Sequence, residues 1–157
     1  MRNAALAVTL FIATTMSLTS NNLTGVAEVE YAAPKRSRKD SLRALLNAQK
    51  YVESRGDSMA YNARENAAGV LQIRPIFLSE LNRQLKLNGR DYQYTLRDRF
   101  SEKKSEKIWY DYVDLMHKNH KFERIARCWN GGPRGHKKQS TIRYWNRVEN
   151  KLNQYAK

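Results

Sequence analysis

The chain's 157 residues suit one domain of ordinary size with a real hydrophobic core. Its 29 Lys plus Arg against 15 Asp plus Glu give a formal charge of +14, which favours a polyanionic partner: nucleic acid, acidic lipid or an anionic cell-wall polymer. The lone cysteine, Cys128, excludes an internal disulfide and every multi-cysteine metal spacing, while nine Tyr against four Phe suit a groove that stacks rings and keeps hydroxyls wet.

The N-terminus reads as a targeting segment. Arg2 supplies a weak positive start, and "AALAVTLFIATTM" (Ala4 to Met16) is apolar over a signal-peptide length, short for a membrane-spanning helix. "GVA" at Gly25 to Ala27 offers a small-x-small cleavage site. A signal peptide over 1–27 and export to the periplasm or beyond are therefore expected, with an uncleaved anchor or a tail as the alternative. "YAAPKRSRKD" (Tyr31 to Asp40) closes a basic linker over 28–40. Most of the basic residues come after it, so the positive charge belongs to the folded part.

From Ser41 the pattern is helical. Leu42, Leu45, Leu46 and Val52 recur at helix spacing, and Ser41 or Asp40 is available as an N-cap. At about 100° per residue, Glu53 points within about 20° of both Leu42 and Leu46, on the side that should be buried. Gly56 reads as the helix stop. Asp57 to Gly69 has no helical period and is expected to be a loop, with room for a short hairpin. Pro75 opens a helix that "NG" at Asn88-Gly89 ends. Ser101 to about Lys118 is amphipathic, with Ile108, Tyr112, Leu115 and Met116 on one face. A shorter helix fits Phe122 to Trp129, broken by Gly131, Gly132 and Pro133. Thr141 can cap a last helix carrying Tyr144, Trp145, Val148, Leu152 and Tyr155. The expected class is mainly α, a single domain over 41–157 with at most a minor β-hairpin.

A carboxylate on the apolar side of a helix end loses hydration, which raises its pKa and keeps it protonated near neutrality. A general acid that protonates a glycosidic oxygen needs that property. An ion pair with one of the many arginines is the equally simple alternative. The surrounding residues favour chemistry: "ES" at Glu53-Ser54, "AAGVLQIRP" (Ala67 to Pro75), "ARCWNGGP" (Ala126 to Pro133) and "TIRYWNRV" (Thr141 to Val148). In order and approximate spacing these four blocks resemble the soluble lytic transglycosylase family, whose domain has the goose-type lysozyme fold. The resemblance spans roughly residues 41–152.

The resemblance implies that Glu53 is the catalytic acid and later base, with Ser54 lining the site beside it. It implies that Gly69 admits the sugar close to the backbone and that Gln72 offers an amide to acetamido or hydroxyl groups. Asn130 matches the asparagine of the third block, Gly131 and Gly132 leave room for saccharide against backbone, and Tyr144 matches the tyrosine that hydrogen-bonds the catalytic carboxylate. Two departures stand out. Trp129 holds the usual tyrosine position, where an indole still stacks on a sugar, and Cys128 replaces a small residue.

Other signals are weaker. "RGD" at Arg55 to Asp57 is a common chance match, and Asp57 is a minor candidate for a second acid. His117, His120 and His136 lack metal-ligand spacing, so no metal and no cofactor are expected, and His117 and His120 read as solvated. With one convincing carboxylate, the implied reaction is non-hydrolytic cleavage of the β-1,4 bond between N-acetylmuramic acid and N-acetylglucosamine, closing a 1,6-anhydro ring. Peptidoglycan strands are the expected partner of a monomer. A hydrolytic lysozyme, a catalytically idle wall-binding module and a basic nucleic-acid binder are the alternatives. The scattered cations and the leader argue against the last.

Overall fold

The computed structural model describes residues 36–155. The expected signal peptide, its expected cleavage site and the expected linker through residue 35 lie outside the described residues. Over the described residues the fold is mainly helical, with five α-helices and one small antiparallel sheet.

Helix α1 (Arg38–Ser54) begins earlier than the apolar pattern suggested. Ser37, not Asp40 or Ser41, caps it, accepting from the backbone N–H of Asp40. A serine oxygen before the first turn satisfies an amide that the helix cannot, and it draws in three residues read as linker. The helix stops at Arg55 rather than Gly56: Arg55 is left-handed, with φ 58°, and its N–H donates to the Tyr51 carbonyl while that of Gly56 donates to Lys50.

Strands β1 (Tyr61–Asn62) and β2 (Ala67–Ala68) form a minimal hairpin, with Tyr61 opposite Ala68 and Asn62 opposite Ala67. Two residue pairs do not hold a hairpin in water by themselves. Arg99 supplies the anchor: its buried guanidinium donates to the carbonyls of Asn66 at 2.7 Å and Ile73 at 3.0 Å.

Helix α2 (Pro75–Leu87) opens on proline, whose missing N–H costs nothing at a first helical position. Helix α3 (Glu102–His117) is capped by Ser101. Helix α4 (Phe122–Gly131) runs two residues past Trp129, so Asn130 and Gly131 form its last turn rather than the break after it. Helix α5 (Ile142–Tyr155) ends the described chain. Thr141 does not cap α5. Its buried hydroxyl faces the carbonyls of Gly135 and Lys138 and accepts from Arg127, closing the turn before the helix.

The core draws on every helix: Leu45 and Leu46 from α1, Leu81 and Leu85 from α2, Ile108 and Trp109 from α3, Ile125 and Trp129 from α4, and Val148 from α5. Each such side chain contributes roughly 1.5–3 kcal/mol on burial. Helix α1 packs along α5, and α4 closes on both. That arrangement brings the end of α1, the loop after β2, the end of α4 and one face of α5 to a common point. No helix among the described residues is long and apolar enough to cross a membrane.

Candidate active site

Glu53 occupies that common point, on the last turn of α1. Tyr144 of α5 donates its hydroxyl hydrogen to Glu53 Oε1 at 2.8 Å. Behind it runs a buried chain of hydrogen bonds: Trp109 Nε1 donates to Gln49 Oε1 at 3.0 Å, and Gln49 Nε2 donates to the Tyr144 oxygen at 3.1 Å. Gln49 sits one turn before Glu53 and is fully buried. The direction of the chain is forced. An indole nitrogen only donates, so the Gln49 carbonyl must face it; the amide then donates to Tyr144, and the phenol hydrogen has only Glu53 to go to. Oε1 is thereby committed as an acceptor, and an acid proton on Glu53 belongs on Oε2.

The half-buried carboxyl is pushed up from its usual 4.5 to about 7. Burial is the main cause, because it penalises the charged form. The Tyr144 hydrogen bond and the nearby Arg147 and Arg74 pull the other way, while the negative charge of Glu65 adds to the rise. The outcome is a group close to evenly shared between acid and base at neutral pH, which suits proton transfer in either direction.

Glu53 lines a polar cleft of about 250 Å³ with Asn62, Glu65, Gln72, Arg74, Asn130 and Arg147. Gln72 holds a left-handed backbone, φ 48°, which turns its amide inward to donate to the carbonyls of Ala60 at 3.2 Å and Gly69 at 3.0 Å. Both hydrogens are spent there, so the carbonyl oxygen is what Gln72 has left for a ligand. Asn130 is exposed at the end of α4. Arg74 clasps the two walls, lying 3.7 Å from Glu65 of the hairpin turn and donating to the Asn130 carbonyl at 3.3 Å. Past Val52 and Arg147 the cleft opens into a second groove beside α1 and α5.

The other expected site residues take varied places, and Ser54 lines the second groove beside Glu53. A Cβ on Gly69 would lie 1.7 Å from the Arg99 carbonyl oxygen, so this glycine lets the protein approach itself rather than a sugar. A Cβ on Gly131 would lie 2.6 Å from Thr141 Cγ2; it too serves internal packing, and its carbonyl accepts from Lys138. Gly132 is open, with φ 80°. Ser54 donates to the Val70 carbonyl at 2.9 Å, tying α1 to the loop that carries Gln72. Trp129 is 7% exposed and packs against Phe77 and Tyr112. It is a wall between the polar cleft and an apolar cavity of about 410 Å³, with little face free for stacking. Asp57 accepts from the Met59 amide in a tight turn and does not line the cleft. His117 is buried, and burial plus neighbouring His120 lowers it to about 4, so it is not a solvated charge.

Sequence reasoning missed Gln49, Asn62, Glu65, Arg74 and Arg147. Gln49 and Arg147 carried a signal, since they lie four residues before Glu53 and three after Tyr144 on the same helical faces. Asn62, Glu65 and Arg74 come from aperiodic segments and had none. Among the described residues, no group of three or more His, Cys, Asp or Glu side chains is placed to hold a metal ion. No family model matches the chain, and no curated protein matches it.

Proposed function

We propose that the chain is a peptidoglycan-cleaving enzyme of lysozyme-like architecture, a lytic transglycosylase exported by its leader. The observation that carries this reading is Glu53: a carboxyl held near pH 7 on the floor of a polar cleft, with one oxygen committed to Tyr144 and the other left to carry a proton.

Glu53 donates that proton to the glycosidic oxygen as the bond to C1 of N-acetylmuramic acid breaks. The sugar's own acetamido oxygen supports C1 as positive charge develops. The Glu53 carboxylate then removes the proton of the 6-hydroxyl, whose oxygen closes on C1 to give the 1,6-anhydro ring. No water is consumed, and Glu53 returns to its protonated state. An attacking group already on the substrate has a large effective concentration, so the protein need not supply a nucleophile. The surplus of cations favours a wall polymer bearing carboxylates.

Glu65 favours a second reading. It is a carboxylate in the same cleft, and a glycosidase with an acid and a separate base can activate water and hydrolyse the bond as a lysozyme. Mass spectrometry of digested sacculi separates the two. Anhydro ends are expected; reducing ends, heavier by one water, make the protein a lysozyme. Glu53→Gln is expected to cut product release by about a hundredfold or more with the fold intact. Undiminished release by that variant would sink the assignment, and binding to sacculi without any product would mark a wall-binding module.

A further inference from the structure

The groove beyond Val52 and Arg147 measures about 620 Å³ and lies between the end of α1 and the outer face of α5. Three cations line it: Arg55, Arg147 and Lys151. Glu53 is its only lining carboxylate among the described residues. Among the described residues none of the three cations has a carboxylate within ion-pair distance, although ten such pairs form elsewhere. Two of the cations lie against aromatic rings. Lys151 Nζ sits 3.9 Å from the centre of the Tyr51 ring and donates to Gln154 at 3.1 Å, and the Arg147 guanidinium lies 5.9 Å from the centre of the Tyr144 ring. Arg55 stands in a left-handed position that a glycine would occupy at no strain, and it projects a guanidinium there instead.

With Glu53 protonated, the groove concentrates three like charges that repel one another and have no internal counter-charge. An anion entering it relieves that repulsion. Glu53 lines both the cleft and the groove, so an anion in the groove lies beside the sugar whose glycosidic oxygen Glu53 would protonate. We propose that Arg55, Arg147 and Lys151 form a carboxylate subsite that holds the acidic peptide branching from the cleaved amino sugar, making the enzyme selective for peptide-bearing glycan over naked strands. This rests on the peptidoglycan reading above.

The test separates binding from turnover. The full chain carrying Glu53→Gln, whose amide stands in for the protonated acid, is titrated with a soluble muropeptide bearing free peptide carboxyls and with the same muropeptide after carboxyl amidation. Amidation is expected to weaken binding about tenfold, and adding Arg55→Ala with Lys151→Ala is expected to erase that difference. Arg55 is exposed and Lys151 half-buried, and circular dichroism checks the fold. Equal binding of the two ligands, or a difference that survives the double substitution, overturns the subsite. Failure of the native chain to release any product from sacculi refutes the enzymatic reading alone, because the amidation difference is read without turnover.

Discussion

Tyr144 gives its hydroxyl hydrogen to Glu53 across 2.8 Å, and the protein leaves it no other choice. Trp109 and Gln49 behind it are both arranged as donors toward the cleft, so the phenol oxygen is occupied from the core side. Aligned donors polarise one another, which strengthens the last bond in the chain. The carboxyl is therefore balanced between burial, which favours its acid form, and a hydrogen bond plus two guanidinium charges, which favour its base form.

That balance predicts opposite pH shifts for two substitutions. The first step of the proposed reaction needs protonated Glu53, so its rate should fall as pH rises through about 7. Tyr144→Phe removes an interaction that lowers the pKa; the pKa rises, and the alkaline limb of the kcat profile moves to higher pH. Glu65→Gln removes a charge that raises it and releases Arg74, which lowers it. The alkaline limb then moves to lower pH. Both limbs moving the same way would contradict the balance described.

Glu53 should also cost stability. Its folded pKa of about 7 exceeds the ordinary 4.5, so the stability this group contributes is fully present below about 4.5 and is lost as pH rises through about 7. Burying the charged form above that range costs at most about 3 kcal/mol, and residual water contact brings the expected figure to roughly 1–3 kcal/mol. Glu53→Gln keeps an oxygen to accept from Tyr144 and removes the charge. Urea unfolding at about pH 5 and about pH 8.5 should show the variant gaining on the parent at the higher pH. A gap that is the same at both values argues against a buried, titrating carboxyl.

The helices were legible because apolar residues recur at helical spacing and because Pro75, Asn88-Gly89 and Ser101 punctuate them. The same arithmetic placed Glu53 on the buried face of α1. It applied equally to Gln49, one turn earlier, but a glutamine on an apolar face reads as an interruption until its two partners are seen. Glu65 and Arg74 were not legible, since they reach the cleft from a turn and a helix entry with no period. Trp129 was misread for a related reason. Its helix places it four residues after Ile125, on the core face, and only the packing of Phe77 and Tyr112 reveals that its ring is already covered.

Gly69 and Gln72 shared one motif in the sequence, yet the structure separates their roles, and paired substitutions should expose this. Gly69 has φ 77°, and the Arg99 carbonyl oxygen occupies the space a Cβ needs. Gly69→Ala must move the Arg99 backbone, whose guanidinium anchors the hairpin. Overpacking and left-handed strain together cost about 3 kcal/mol or more. Gln72 has a left-handed φ of 48° that glycine adopts freely, so Gln72→Gly relieves strain while deleting the amide and its two hydrogen bonds. These effects offset to within about 1 kcal/mol, leaving the fold near its parent stability, while turnover falls about tenfold through loss of the amide facing the cleft. Urea midpoints and initial rates on the same preparations provide the check. A Gly69→Ala protein of normal stability that had lost only substrate affinity would return that glycine to the sugar-binding surface.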